Sequence, residues 1–155
     1  MNLVSAALFA IATSIALPAA AQTASDMEIL AQKIKADKKL VVAANMDLTE
    51  AEAKGFWPVY DAYQAELQAI NQRIAGTILS YADAYEKGAV SDATAKKLIK
   101  EAIAIEDAEA KLKSTYVSKL DKVIPGVKIA RYMQIESKIR AIIKYQLAAS
   151  IPLAS

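Results

Sequence analysis

Between Pro58 and Gly88 apolar or small side chains recur at Val59, Tyr63, Leu67, Ile70, Ile74, Thr77, Tyr81 and Tyr85. Steps of four and three residues keep these positions on one face of an α-helix, the seam pattern of coiled coils and bundles. At 1.5 Å per residue such a helix would be about 45 Å long, and a stripe of that length needs long partner helices to cover it. Ala95, Leu98, Ala102, Ile105, Leu112, Tyr116 and Val123 repeat the spacing as far as Pro125-Gly126, with Glu109 in the slot between Ile105 and Leu112. A carboxylate there either meets a basic group across the seam or marks a slip in register. A last helix, from about Val127 to Ala149, carries Ile129, Tyr132, Ile135 or Glu136, Ile139, Ile142 and Ile143. A first one, with Met27, Leu30, Ile34 and Val41 on its stripe, should end near Asn45.

Start and stop signals fall between these stripes. Ser25-Asp26-Met27-Glu28 and Thr49-Glu50-Ala51-Glu52 are capping boxes, and Leu48 stands where a hydrophobic staple belongs. Gly88 suits a helix C-terminus and Ser91 or Asp92 the next start. Pro58 lies nine residues into the helix that Thr49 opens. It lacks an amide and crowds the preceding turn, so a kink or a break is expected there. No alternating strand pattern occurs. The reading is all-α: an elongated four-helix bundle or bent helical hairpin with long antiparallel helices.

The N-terminus reads differently. Leu3 to Leu17 is apolar and uncharged, Pro18 follows, and Ala19-Ala20-Ala21-Gln22 has the small residues of a signal-peptidase site. The apolar run is short for a membrane-spanning helix of about 20 residues. No Lys or Arg precedes it, which leaves the terminal amine as its only positive charge. Residues 1–21 are therefore expected to be a cleaved export signal, and residues 22–155 a single helical domain in the periplasm.

Composition narrows the chemistry. The chain has no Cys and no His, which removes thiol nucleophiles, imidazole bases, disulfides and the usual soft or borderline metal sites. Met27, Met46 and Met133 sit in apolar stripes and read as core fillers. Glu106, Asp107 and Glu109 read as a helix surface, with no nucleophile or glycine-rich phosphate loop nearby. No enzyme activity, cofactor, metal or nucleic acid is expected. The net charge of +2 is unevenly spread: residues 47–109 sum to −6 and residues 110–155 to +7. That asymmetry suits antiparallel neighbours attracting one another, or a basic face offered to a partner or to anionic lipid.

Aromatic residues are the remaining signal. Phe56 and Trp57, beside Pro58, read as the plug at one end of the bundle, the other reading being a surface that accepts apolar segments of other proteins. Tyr63, Tyr81 and Tyr85, with Lys128, Arg131, Lys138, Arg140 and Lys144 of the last helix, are the candidate protein-binding surface, because Tyr supplies broad amphipathic contact area.

Leu48-Thr49-Glu50-Ala51-Glu52, opening the second helix of an exported, cysteine-free helical chain, resembles the Leu-Thr-x-x-Gln box of the Spy/CpxP-like periplasmic family. Glu52 stands where that family has Gln, the Phe56-Trp57-Pro58 insertion is foreign to its pattern, and a second box is absent, Val90-Ser91-Asp92 being a poor substitute. Members that sense metal use histidines, which this chain lacks. The resemblance implies an ATP-independent chaperone or envelope-stress adaptor that forms a cradle-shaped homodimer and binds unfolded or envelope proteins. In it, Leu48, Thr49 and Glu52 serve structure. The alternatives are an envelope interaction protein with one dedicated partner, and a peripheral membrane protein using the basic last helix and the tail Ser150–Ala154.

Overall fold

In a computed structural model, residues 37–154 are described. The expected export signal, the Ser25 capping box and the stripe from Met27 to Ile34 lie outside them. Two compact units divide the chain, Met1–Val41 and Val42–Ser155. Every described helix is an α-helix: α1, helical over residues 37–46, α2 (Glu50–Glu86), α3 (Asp92–Leu120) and α4 (Gly126–Ser150). No strand occurs among the described residues.

Within Val42–Ser155 the three long helices run up, down and up. Tyr63 meets Tyr116 and Arg73 meets Glu101, so α2 and α3 are antiparallel. Phe56 meets Tyr132 and Asn71 meets Arg140, which sets α4 parallel to α2 and antiparallel to α3. The α2 and α3 backbones pack closely, whereas α4 reaches α2 through aromatic and long polar side chains. The core belongs mainly to one half of this bundle. Val42 and Met46 of α1 close its end, over Phe56, Tyr60, Tyr63, Leu67, Tyr116, Leu120, Ile124, Ile129 and Tyr132.

Local chemistry explains the boundaries. Thr49 is the N-cap of α2: its Oγ1 accepts from the Glu52 amide, and the Glu52 carboxylate accepts from the Thr49 amide at 2.7 Å. Asp47, with φ of 47°, turns the chain between α1 and α2 in the left-handed region that Asp tolerates. Gly88, with φ of +121°, ends α2 one residue past its C-cap, and Ser91 caps α3.

Of the two outcomes expected at Pro58, the structure rules out a break. Helix α2 continues unbroken from Glu50 to Glu86 with Pro58 inside it. The carbonyl deprived of its donor belongs to Lys54, and both Lys54 and Pro58 are exposed, so water can serve that carbonyl. Buried Phe56 and Tyr60 on the opposite side hold the helix together across the proline. Helix α3 also stops earlier than its stripe suggests. Leu120 is its last residue, and Val123 lies in the turn to α4, where a Cβ on Gly55 would come within 3.0 Å of the Val123 Cβ.

Candidate functional site

Three helices each contribute one residue to a polar layer midway along the bundle. Arg140 of α4 donates from Nε and Nη2 to both carboxylate oxygens of Glu109 on α3, at 3.0 and 2.9 Å, and from Nη1 to Asn71 of α2 at 2.8 Å. Lys113 and Lys144 flank the same carboxylate at 3.3 and 3.8 Å. Glu109 therefore faces a basic group, not a register slip. Burial alone would push its carboxyl up, but the Arg140 hydrogen bonds and the three positive charges hold it below the usual carboxylate range.

A second polar group lies deeper. Gln64 Nε2 donates to the Glu136 carboxylate at 2.9 Å and to the Tyr132 hydroxyl at 3.2 Å. Glu136 occupies the stripe and is buried, and Ile135 is only half-buried. Burial first, and the Glu136 charge second, raise the phenols of Tyr60, Tyr63 and Tyr132 above their ordinary range. Tyr116 donates to Glu66 at 2.6 Å, and burial with that bond pushes it up to about 12. Around these groups the rings pack edge to face, Phe56 on Trp57 at 5.0 Å and on Tyr132 at 5.2 Å. No buried side-chain polar atom among the described residues lacks a hydrogen-bond partner. This interior is a fully paired network that fixes the register of three helices.

The third node joins the bundle end. Lys128, in the first turn of α4, donates to the Asp47 carbonyl at 2.7 Å and to Glu52 at 2.5 Å. The Lys128 ammonium and the Thr49 amide hold the Glu52 carboxyl below its usual range.

The sequence-chosen surface residues thus separate. Tyr63 is buried in the core, and Lys128 and Arg140 are committed to internal pairs, so these three do not form a surface of the bundle. Tyr81 is half-buried and donates to the Pro152 carbonyl, tying down the tail; Tyr85 stacks at an angle beside it and is partly exposed. Arg131 and Lys138 are exposed on the outer side of α4, and Lys144 reaches Glu106 and Glu109 from a half-exposed position. Ile142, placed on the inner stripe from sequence, is exposed, and Arg140 fills the inner slot.

Two surface features escaped the sequence reading. In the half of the bundle beyond the Arg140 layer, Leu79, Ile99, Ile103, Ile142, Tyr145 and Leu153 are each more than half exposed. On another face, α2 and α3 form an open groove of about 830 Å³ lined by Arg73, Gly76, Thr77, Ser80, Ala93, Lys96, Lys97, Leu98, Lys100, Glu101 and Ala104. Lysines at spaced helix positions read as solvated, and only the pairing of α2 with α3 collects them.

No described helix is long and apolar enough to cross a membrane. No protein-family model, curated protein or solved structure matches the chain.

Proposed function

We propose that this chain is a protein-binding helper of the cell envelope, acting without ATP and by contact alone, as the Spy/CpxP-like box at Leu48-Thr49 suggests. The observation that carries this reading is the uneven covering of apolar residues. One half of the bundle buries most of its large side chains around a paired polar interior, with Val127 and part of Val117 exposed; the other leaves Leu79, Ile99, Ile103, Ile142 and Tyr145 to solvent, with Arg131, Lys138 and Lys144 on the same helix as the last two. Exposed apolar groups set among charges suit segments of unfolded or partner proteins. Export to the periplasm is part of the same proposal.

The test is suppression of aggregation of several chemically denatured, unrelated clients, without ATP, at near-stoichiometric protein. The expected result is suppression that weakens when Ile99, Ile103 and Tyr145 are replaced by Ser. Absence of suppression for all clients, or suppression unaltered in that variant, would overturn the assignment.

A second reading rests on α4 itself. Val127, Arg131, Lys138, Ile142 and Tyr145 share its outer side at about 100° per residue, all are exposed, and Leu153 of the tail is exposed too. That combination suits an anionic lipid surface. Co-sedimentation with anionic vesicles, lost at high salt and lost on deleting residues 147–155, would favour it over protein binding.

A further inference from the structure

The groove between α2 and α3 lies on the side of the helix pair away from α4. Lys100 precedes Glu109 by nine residues and Ser80 follows Asn71 by nine, each a rotation of about 180° at 3.6 residues per turn. Glu109 and Asn71 are the residues that grip Arg140 of α4. The α2–α3 pair therefore already seats one helix, through acidic and amide groups on the pair and a cation on the guest. Its opposite face is an open seat of about 830 Å³ with the charges reversed: Arg73, Lys96, Lys97 and Lys100 against the single carboxylate of Glu101.

Those cations are incompletely neutralised. Glu101 is taken by Arg73 at 2.9 Å. Lys96 has only the exposed Asp92 at 3.7 Å. Lys97 and Lys100 have no ion-pair partner among the described residues. The floor between them has room, since a Cβ on Gly76 would meet nothing within 4 Å.

We propose that this groove is a docking site for an acidic amphipathic helix of another protein. The occupant's chemistry follows from the rim and its shape from the walls. Two antiparallel helices offer a trough and no unpaired strand edge, so a guest buries an apolar stripe on the floor and aims carboxylates at Lys97 and Lys100. From Ala93 to Ala104 the trough is about 17 Å long at 1.5 Å per residue, three helical turns of guest. The inference rests on the protein-binding reading only in taking the guest to be a protein. It uses a different face from the apolar residues proposed to hold unfolded clients.

The experiment is fluorescence anisotropy at low salt, with the purified chain titrated into a labelled, capped 14-residue peptide of Leu, Ala and Glu whose leucines fall at helical spacing. A scrambled peptide of the same composition is the comparison. The expected result is saturable binding of the amphipathic peptide, weakened by salt and at least about tenfold weaker in the K97E/K100E variant. The R131E/K138E variant, with the same change in net charge on the outer side of α4, should bind as the parent does. Gly76→Leu fills the trough while keeping a good helix former at an exposed helical position, so it should abolish binding without loss of helix content. Equal binding of the scrambled peptide, equal loss in both charge variants, or binding unaffected by Gly76→Leu would each overturn the proposal. So would a concentration-dependent dimer of the chain itself that Gly76→Leu abolishes, since the guest would then be a second copy. Loss of client protection in the aggregation assay leaves these titrations intact, so the two proposals fail separately.

Discussion

Replacing Arg140 by Met tests whether the polar layer holds the bundle or merely decorates it. The Arg140 and Glu109 side chains are only 12% and 6% exposed, and the pair is bidentate. Removing one partner of a buried pair typically costs about 3–5 kcal/mol, because a desolvated charge is left behind. Here Lys113 at 3.3 Å and Lys144 at 3.8 Å remain beside the carboxylate and offset part of that cost. Asn71 loses its donor as well, worth about 1 kcal/mol. The net expectation is a loss of about 3 kcal/mol at neutral pH, read from urea unfolding followed by far-ultraviolet circular dichroism. The triple variant Asn71→Leu/Glu109→Leu/Arg140→Met, which removes charge and partner together, should recover most of that loss. A loss below about 0.5 kcal/mol in the single variant, the range of an ordinary surface change, would refute the buried-pair account.

The pH dependence supplies an independent sign. In the parent, the Glu109 carboxyl is held below its ordinary value of 4.5, so its contribution is present above that pH and is lost as pH falls through the lowered value. Burial is the largest single influence on this group, opposed mainly by Arg140. With Met at position 140, burial should win and the carboxyl should rise. The folded variant then takes up a proton more readily than the unfolded chain, so acid relieves it. The difference in stability between parent and variant should therefore be largest near neutrality and shrink toward pH 4. A difference that grows on acidification would contradict the assignment.

Other expectations are simpler. Thr49→Ala should cost about 0.5–2 kcal/mol through loss of the N-cap, read as a lower urea midpoint; an unchanged midpoint would mean that the Thr49–Glu52 box does not hold the helix start. Gly76→Ala should stabilise by about 0.5–1 kcal/mol, since a Cβ there meets open space. Gly55→Ala should fail to show that gain, because its Cβ would press on Val123 at 3.0 Å; thermal midpoints of the two variants decide this. Tyr116, pushed up to about 12, and the still higher Tyr60, Tyr63 and Tyr132 ionise more easily in the unfolded chain, where the ordinary value is 10.0. Stability should therefore fall as pH rises above about 10, and the ultraviolet tyrosinate signal of these residues should appear together with loss of circular dichroism; a signal that precedes unfolding would place these phenols nearer to water.

Much of this fold is legible from the spacing of apolar residues, because each long helix buries one stripe and little else competes. Tyr63, Leu67, Ile70, Ile105, Leu112, Tyr116, Ile129 and Tyr132 are all stripe positions, and all are buried. The errors share a physical cause. A break at Pro58 follows only from the local penalty of proline; the carbonyl it orphans lies on the wet side, and Phe56 and Tyr60 are buried on the dry side, so the helix runs on. Arg140 and Ile142 were sorted by hydropathy, although position alone places Arg140 in line with Ile129, Tyr132, Glu136, Ile143 and Leu147. The same logic that allowed Glu109 a basic partner across the seam would have found that partner by asking which cation occupied an inner slot. The groove was not legible, because its rim is assembled from two helices whose facing is set only by packing.

The distribution of order along the bundle links these observations to function. Up to the Arg140 layer most large apolar side chains are buried and the buried polar groups are paired, as in Gln64 with Glu136 and Tyr132, or Lys128 with Glu52 and the Asp47 carbonyl, Val127 being the most exposed exception. Beyond it, Ile99, Ile103, Ile142 and Tyr145 are uncovered, and Lys97 and Lys100 have no ion-pair partner among the described residues, Glu101 being held by Arg73. Exposed apolar area costs stability and solubility, and a helix pair of this kind could have been closed by polar substitutions at those positions. The proposed client and peptide binding should depend on the polar layer only through stability: at a urea concentration where Arg140→Met is still folded, both should equal those of the parent.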